Sequence, residues 1–300
     1  MKQVAAFLES VGGFNLFVHD ANDTFISAEI ARHGVWEKFE TELMMRFATD
    51  GGAVVDVGAN LGWYSVVAAL HIGSKGRVLA IEPEPANYAL LCANIELNNL
   101  PNVTSVMAAV GETEQIVSLS LSSENRGDHR VGSALNLRDT VQVQQRPLAA
   151  ICADAGLRAE TVSILKVDIQ GGETGLLRAS CDFLSRIPSA SGIFIEFSPV
   201  LLGEDREAFV DLVEALGRRI YLVDQSQRLL IPTTPRKLRR LGRRIIADAP
   251  FEDFGLDLLL TNNRAVPSSF RTFKGEVQRW KGELAAILDP WGRRQRAASR

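Results

Sequence analysis

Apolar residues along the chain fall into two kinds of segment that alternate. Short runs rich in β-branched residues fit buried strands, and the segments between them have apolar residues three and four positions apart, which is typical of helices. Strands are predicted at 53–58, 77–83, 103–111, 164–169, 192–197, 221–225 and 256–262, and helices at 62–72, 85–99 and 173–184. This alternation predicts an α/β protein with a mostly parallel sheet and helices on both faces.

Three segments depart from the alternation and define the predicted domain boundaries. Residues 1–50 end in a stretch with apolar residues at helical spacing, which predicts a helical lead-in. Residues 112–147 contain "IVSLSLS" and "TVQVQQR" around a polar stretch, which predicts two strands flanking a flexible loop inserted into the main domain. Residues 263–300 are predicted to form a basic helical extension, so the main domain is expected to span 51–262.

Composition and charge indicate an ordinary globular protein. Of the 300 residues, 46% are hydrophobic and 23% are charged, and the net charge of −3 creates no field that would attract nucleic acid or an anionic membrane. No window of eighteen apolar residues is present, and the first residues, "MKQVAAFLESVGGF", lack the apolar core of a signal peptide. We therefore expect a cytoplasmic protein, one that can form homo-oligomers.

The cysteines and histidines predict neither a disulfide framework nor a metal site. The three cysteines are far apart and form no C-x-x-C pair, so reduced thiols are expected. The four histidines form no cluster with acidic residues at metal-ligand spacing. His129 lies in the polar stretch "GDHRVGS", where it is a candidate general base or, alternatively, a solvated loop residue.

A glycine-rich corner between the first strand of the main domain and its following helix is the clearest candidate site. The stretch "VVDVGANLGWYS" carries Asp56 and then Gly58, Asn60 and Gly62. Such a turn lets a ligand approach backbone N–H groups at the start of a helix, but Asn60 replaces the middle glycine of the dinucleotide-binding pattern. Glu82 ends the next strand, where an acid can accept both hydroxyls of a ribose. Asp56 suits a cationic group, so these residues favour S-adenosylmethionine as the cofactor.

Several residues near this corner have two interpretations. Tyr64 and Ser65 begin the following helix, where they would contact the methionine part or the adenine of the cofactor, or serve as core and capping residues. Asn87 and Asn94 would line the adenosine side, although such residues more often solvate a helix. The stretch "MAAVG" after the third strand has no polar side chain, so adenine is expected to contact backbone groups and apolar residues.

The motifs resemble those of one known family in their order and spacing. The stretches "FETELMMRF", "VVDVGANLGWYSVVAA", "GRVLAIEPEPANYALLCANIELNNL", "ILKVDIQGGETGLLRA" and "GIFIEFSP" are similar to successive motifs of the FkbM family of S-adenosylmethionine-dependent methyltransferases. The resemblance covers roughly residues 17–200. It implies a class I methyltransferase (Rossmann-like) fold, whose seven-stranded sheet has an antiparallel last strand. It also implies methyl transfer to the hydroxyl of a sugar, a polyketide-like product or another small molecule.

Acidic residues after the fourth and fifth strands are the catalytic candidates. Asp168 and Glu173 in "KVDIQGGE" match acidic positions of the family, whereas Gln170 stands where the family often has an acid. The carboxyl ends of parallel strands face the ligand in such folds. Asp168 is therefore expected to orient either the acceptor hydroxyl or the methionine ammonium, and Glu196, at the end of the fifth strand, is expected to face the acceptor.

Two alternatives belong to other functional classes. An RNA methyltransferase would use the basic segment 236–244 to hold phosphates. A non-catalytic protein would keep the fold and bind the cofactor alone. The slightly negative net charge disfavours a nucleic-acid partner, and the intact glycine-rich corner with Glu82 disfavours the non-catalytic alternative. A small-molecule or carbohydrate acceptor is the expected partner.

Overall fold

The computed structural model describes residues 1–20, 23–122, 125–131, 139–248, 255–264 and 266. The strands are β1 (Lys2–Leu8), β2 (Gly12–Val18), β3 (Ala53–Val57), β4 (Arg77–Ile81), β5 (Val103–Val106), β6 (Ala109–Val110), β7 (Gln115–Ser120), β8 (Arg130–Val131), β9 (Thr140–Arg146), β10 (Val162–Val167), β11 (Gly192–Phe197), β12 (Arg219–Asp224), β13 (Leu229–Thr233) and β14 (Leu256–Thr261). The α-helices are α1 (Ile26–His33), α2 (Lys38–Met45), α3 (Trp63–Ile72), α4 (Pro85–Leu97), α5 (Leu148–Asp154), α6 (Glu173–Ala179), α7 (Cys181–Arg186), α8 (Arg206–Ala215) and α9 (Pro235–Asp248).

An eight-stranded sheet forms the centre of the protein, in the order β13-β12-β14-β11-β10-β3-β4-β5. The run from β11 to β5 is parallel, and β14 is antiparallel to both of its neighbours. This arrangement confirms the predicted class I methyltransferase fold with its antiparallel last strand. The sheet has one strand more than the seven predicted, because β12 continues into an antiparallel hairpin with β13.

The two faces of the sheet are covered by different helices. Alternate residues of a strand project to opposite faces, so Val55 and Val57 pack into the cluster that contains buried residues of α5 to α9. Val54, in contrast, packs against α2, α3 and the N-terminal hairpin. Asp56 pairs in register with Lys166 on the neighbouring strand. Both side chains therefore share the face of Val54, which is the face under α2 and α3.

The predicted helical lead-in is helical only in its second half. Residues 2–18 form the antiparallel hairpin of β1 and β2, and α1 and α2 follow it. The hairpin is fixed to the main domain by Asn94 of α4, whose Nδ2 donates to the carbonyl oxygens of Phe17 (3.0 Å) and Leu61 (2.7 Å). The sequence prediction for 1–50 was wrong for the first half, because the alternation of buried and exposed residues in a short two-stranded ribbon gives a weak signal.

The insertion at 112–147 forms a second, four-stranded sheet in the order β6-β9-β7-β8. The two predicted strands are present as β7 and β9, which pair antiparallel. The predicted strand at 103–111 is divided, since β5 belongs to the central sheet and β6 to the insertion. Of the predicted flexible loop between the two strands, residues 123–124 and 132–138 lie outside the described residues.

The basic segment 236–244 is part of α9, which packs beside α8. Arg239 pairs with Asp211 and lies 3.3 Å from Glu207 Oε2, and Arg243 lies 3.6 Å from Glu207 Oε1. Part of the positive charge of this segment is thus neutralised within the protein. The basic extension predicted for 263–300 lies outside the described residues, apart from 263, 264 and 266.

Candidate active site

The glycine-rich corner forms a tight turn at the carboxyl end of β3. Gly58 and Gly62 have φ angles of +86° and +94°, a region that side-chain-bearing residues rarely adopt, and Asn60 has a φ of +52°. A Cβ atom at Gly58 would overlap the backbone carbonyl of Asp168, because β3 and β10 approach closely there. Glycine is therefore required at 58 by both backbone conformation and space.

Glu82 lies directly beside this turn. Its Oε2 accepts a hydrogen bond from the backbone N–H of Asn60 at 2.8 Å, and its Oε1 accepts one from the N–H of Glu84 at 2.9 Å. Burial raises the pKa of Glu82 to about 7, although these two N–H donors favour its charged form. A second carboxylate, that of Glu84, caps α4 by accepting from the N–H of Asn87.

A cavity of about 480 Å³ opens at the carboxyl ends of β3, β4 and β10. Gly58, Asn60, Glu82 and Asp168 all contribute to its lining. The expectation that the ends of parallel strands form the ligand site thus agrees with the position of the cavity. Insertion residues line it as well, including the predicted His129.

Asp56, Tyr64 and Ser65 were predicted at the cofactor site but do not line this cavity. Asp56 accepts a hydrogen bond of 2.6 Å from Ser65 Oγ, and Tyr64 donates one of 2.5 Å to Glu37 Oε2. Burial raises the pKa of Asp56 to about 6. These three residues join β3, α2 and α3 behind the cavity, because Asp56 projects from the sheet face that the helices cover. The three residues therefore connect the elements beside the turn, and other residues line the cavity.

Lys166 is the buried cation of a mostly acidic group on the same sheet face. Its Nζ lies 3.3 Å from Asp168 Oδ2, 3.8 Å from Glu40 Oε1 and 5.1 Å from the centroid of the Tyr64 ring. Burial alone would lower the pKa of Lys166, but the surrounding carboxylates raise it well above its usual value. Burial raises the pKa of Glu37 to about 7. One lysine thus holds together carboxylates from β10 and α2.

Asp168 is, with His129, one of the two catalytic candidates that line the cavity. Its side chain is 36% exposed, and Gln170 Nε2 donates to its Oδ1 at 2.7 Å. The same amide donates to Glu196 Oε2 at 3.0 Å, so Gln170 bridges the two acids. Gln170 adopts a left-handed backbone conformation, with a φ of +51°. Burial, followed by the charge of Asp168, raises the pKa of Glu196 well above its usual value.

Glu173, the other acid of "KVDIQGGE", closes the turn after β10. Its two carboxylate oxygens accept hydrogen bonds from the backbone N–H groups of Ile169 (3.1 Å) and Gly171 (2.9 Å). Its side chain is fully buried and does not contribute to the cavity lining. Burial raises the pKa of Glu173 to about 7. The structure thus places Glu173 where it holds the turn that carries Asp168 and Gln170.

His129 is buried in the insertion, where its Nδ1 accepts a hydrogen bond of 3.1 Å from the N–H of Ser122. Arg126, three residues earlier in the chain, contacts the glycine-rich turn. The carbonyl oxygen of Arg126 accepts hydrogen bonds from Asn60 Nδ2 (3.0 Å) and Asn87 Nδ2 (2.9 Å). We call this three-residue contact the asparagine clasp. It joins the insertion to the turn at 58–62, so the insertion forms one wall of the cavity.

Three residues at or behind the cavity are not predicted from the sequence, namely Arg126, Glu37 and Glu40. Glu40 is fully buried although it lies in an amphipathic helix whose acids are expected in solvent. No signal in the sequence indicates that Glu37 and Glu40 face Lys166, about 126 residues later in the chain. The sequence predicts a flexible polar loop in the insertion, but nothing in it distinguishes Arg126 from its neighbours. Ala108 and Ala109, in the stretch predicted to contact adenine, line the cavity.

Comparisons with known proteins point to one family. A sequence profile described as "Methyltransferase FkbM domain" matches residues 56–223, more than half of the chain. A curated relative, "Methyltransferase 1" of Beauveria bassiana (strain ARSEF 2860), is 23% identical over 151 residues, which are 44% of this chain and 60% of that protein. The chain therefore spans less than two thirds of that relative.

Solved structures with a similar fold have low sequence identity. Methyltransferase FkbM from Methylobacillus flagellatus KT is 15% identical with a TM-score of 0.43, and the match covers 71% of this chain and 44% of that one. The O-methyltransferase from Bacillus cereus, solved in complex with SAH, is 15% identical with a TM-score of 0.37, and the match covers 78% and 86% of the two chains.

The matched residues 56–223 contain the glycine-rich corner, Glu82, Asp168 and Glu196, which are the positions on which the sequence resemblance rested. Within the described part of the chain, none of the helices is both long and apolar enough to cross a membrane. Among the same residues, no group of three or more His, Cys, Asp or Glu side chains is arranged to hold a metal ion. Because the family profile matches more than half of the chain, the chain belongs to the FkbM methyltransferase family, whose methyl donor is S-adenosylmethionine.

Proposed function

We propose that the protein transfers a methyl group from S-adenosylmethionine to a hydroxyl oxygen of a small molecule or sugar. The observation that carries this proposal is the position of the Asp168 carboxylate, which lies at the end of β10 and lines the same cavity as Gly58 and Glu82. A hydroxyl is a weak nucleophile, and a hydrogen-bond acceptor or base beside it increases its reactivity.

The residues of the cavity fit the cofactor in two respects. Gly58 brings backbone without a side chain to the lining of the cavity, and the buried Glu82 carboxylate can accept hydroxyl donors of a ribose. The cofactor supplies an electrophilic methyl group on a sulfonium. The contribution of the chain is to orient the acceptor and to exclude water, because positioning dominates such a displacement.

Asp168 is proposed to accept the hydrogen bond of the acceptor hydroxyl and then its proton, at a carboxylate oxygen. Gln170 and Lys166 hold the carboxylate from the protein side, and its remaining exposed surface faces the cavity. The nearby charge of Lys166 offsets the attraction of Asp168 for a second cation, such as the methionine ammonium. A neutral hydroxyl, in contrast, requires only a free lone pair on the Asp168 carboxylate to accept its hydrogen bond. The prediction that Asp56 binds the methionine part of the cofactor loses support, because the Asp56 carboxylate accepts a hydrogen bond from Ser65 Oγ.

Glu196 and Glu173 are proposed to act through Asp168. Glu196 and Asp168 both accept a hydrogen bond from the Gln170 amide. Glu173 holds the turn that carries Asp168 and Gln170. His129 stays a candidate on the insertion wall of the cavity. We assign the proton acceptor to Asp168 because, of these four residues, it combines a partly exposed side chain with a place in the cavity lining.

The proposal is tested by identifying the product and then by changing Asp168. Wild-type protein with methyl-labelled S-adenosylmethionine and a panel of sugars and small alcohols should give a hydroxyl-methylated product by mass spectrometry. Asp168→Asn should slow single-turnover methylation at saturating cofactor about 100-fold or more, within the range of acid–base effects, and leave cofactor affinity nearly unchanged. Asp182→Asn, at an acid that is 90% exposed, is the matched control and should change neither quantity.

Other results would reject the proposal in distinct ways. Loss of cofactor affinity with unchanged turnover in Asp168→Asn would assign the residue to the methionine ammonium. Methylated RNA in place of a methylated small molecule would support the alternative based on 236–244. Cofactor binding with no transfer to either class would support a non-catalytic protein.

A further inference from the structure

The insertion places an arginine side chain over the cofactor cavity. Arg126 is fixed at its backbone by the asparagine clasp, in which Asn60 and Asn87 both donate to its carbonyl oxygen. Arg126 is one of the residues that line the cavity. The Nε atom is buried and has no hydrogen-bond partner, and the guanidinium makes no ion pair with any residue that the structure describes. A positive charge held this way, without an acidic partner, is expected to meet an anionic ligand group.

The other basic groups near the cavity have acidic partners. Arg130, the second arginine of the described lining, is buried and donates from Nε to Asp128 Oδ1 at 2.6 Å. Lys166 is bound to Asp168 and Glu40 on the sheet face behind the cavity. Arg126 is therefore the lining arginine that has no carboxylate within the described protein.

The charges of the cavity match the charges of the cofactor. S-adenosylmethionine carries two cationic centres, the sulfonium and the ammonium, and a single anionic group, the α-carboxylate. Glu82 and Asp168 supply acidic groups of the lining beside the turn, and Arg126 supplies a cation from the insertion. A planar guanidinium binds a carboxylate through two parallel hydrogen bonds, which makes arginine well suited to this group.

We propose that Arg126 binds the α-carboxylate of the methionine part of S-adenosylmethionine. This assignment rests on the proposed function, because it takes that cofactor as the ligand of the cavity. It makes the insertion a part of the cofactor site. Asn60 then has two roles, since its backbone orients Glu82 and its side chain positions the backbone of Arg126.

The test compares two ligands that differ in the amino-acid part. S-adenosylhomocysteine has the α-carboxylate, and methylthioadenosine lacks the entire amino-acid group. Calorimetric titration of Arg126→Gln should show an affinity for S-adenosylhomocysteine about 10- to 100-fold lower than that of wild type, the range expected for a lost charged hydrogen-bond pair. The affinity for methylthioadenosine should change by less than about twofold. Arg146→Gln, in the same insertion but outside the cavity lining, is the matched control and should bind both ligands as wild type does.

A measurement on the unchanged chain keeps the proposal testable if Arg126→Gln does not fold. Wild type should bind decarboxylated S-adenosylmethionine about 10- to 100-fold more weakly than S-adenosylmethionine itself. Equal affinity for these two compounds would overturn the assignment, as would equal losses for both ligands in Arg126→Gln, which would indicate a role through the asparagine clasp. If wild type binds none of these compounds, the proposed function fails and the assignment fails with it.

Discussion

The backbone N–H of Asn60 donates a 2.8 Å hydrogen bond to Oε2 of Glu82, and this bond joins the glycine-rich turn to the end of β4. The N–H of Glu84 holds the other carboxylate oxygen at 2.9 Å. The carboxylate is therefore oriented by backbone groups before any ligand arrives. Such preorganisation reduces the ordering that ligand binding would otherwise require.

Glu82→Ala should weaken cofactor binding by about 2–3 kcal/mol, because two charge-assisted hydrogen bonds to the ribose are lost. Calorimetric titration with S-adenosylhomocysteine measures the effect. The control is Glu96→Ala, at an exposed acid farther along α4, which should bind normally. Unchanged affinity in Glu82→Ala would remove this residue from the cofactor site.

Asp56→Asn should change the pH dependence of stability without weakening cofactor binding. Burial raises the pKa of Asp56 from 3.8 to about 6 in the folded protein. The contribution of this carboxyl to the free energy of unfolding is therefore fully present below about pH 4 and is lost as the pH rises through 6. The Asp56→Asn variant has no carboxyl to ionise at this position, so it does not lose stability in this way. Its stability relative to wild type should increase by about 1–3 kcal/mol between pH 4 and pH 7 in urea unfolding.

The matched control for this prediction is Asp50→Asn, at an acid whose side chain is 79% exposed. It should follow the wild-type stability at both pH values. A large loss of S-adenosylhomocysteine affinity in Asp56→Asn would contradict the position of Asp56 behind the cavity and restore its predicted contact with the cofactor.

Asn87→Ala should loosen the described part of the insertion. The change removes a 2.9 Å bond to the Arg126 carbonyl and a 2.8 Å bond to His19, so we expect a loss of about 1–2 kcal/mol in stability. Backbone hydrogen exchange of residues 125–131 should become faster, because the free energy of local opening falls by about the same amount. Asn98→Ala, at the end of the same helix, breaks bonds to Asn15 and Asn94 only and should leave exchange at 125–131 unchanged.

Lys166→Met should destabilise the protein by about 3–5 kcal/mol at neutral pH, because it leaves buried carboxylates without their cation. The loss should shrink at lower pH, since burial raises the pKa of Glu40 well above its usual value and protonation removes the unpaired charge. Adding Glu40→Gln to Lys166→Met should recover part of the loss in urea unfolding. Purely additive losses in the double variant would show that the two side chains do not interact.

The sequence alone determined the architecture of the main domain and the local form of the glycine-rich turn. Apolar runs separated by helical segments indicated the parallel sheet, and they do so because burial on both faces requires continuous apolar strands. Gly58 and Gly62 marked the turn, since positive φ angles there exclude most other residues. Glu82 could be placed beside the turn because neighbouring parallel strands end at the same edge.

Only the tertiary structure decided which polar residues face the cavity. Period-two alternation reports that Asp56 shares a face with Val54, but it does not report which helices cover that face, and α3 with Ser65 turns Asp56 away from the cavity. Likewise, Arg126 reaches the cavity because Asn60 and Asn87 hold its carbonyl from distant parts of the chain. Contacts of this kind join residues far apart in the sequence, and local periodicity carries no information about them.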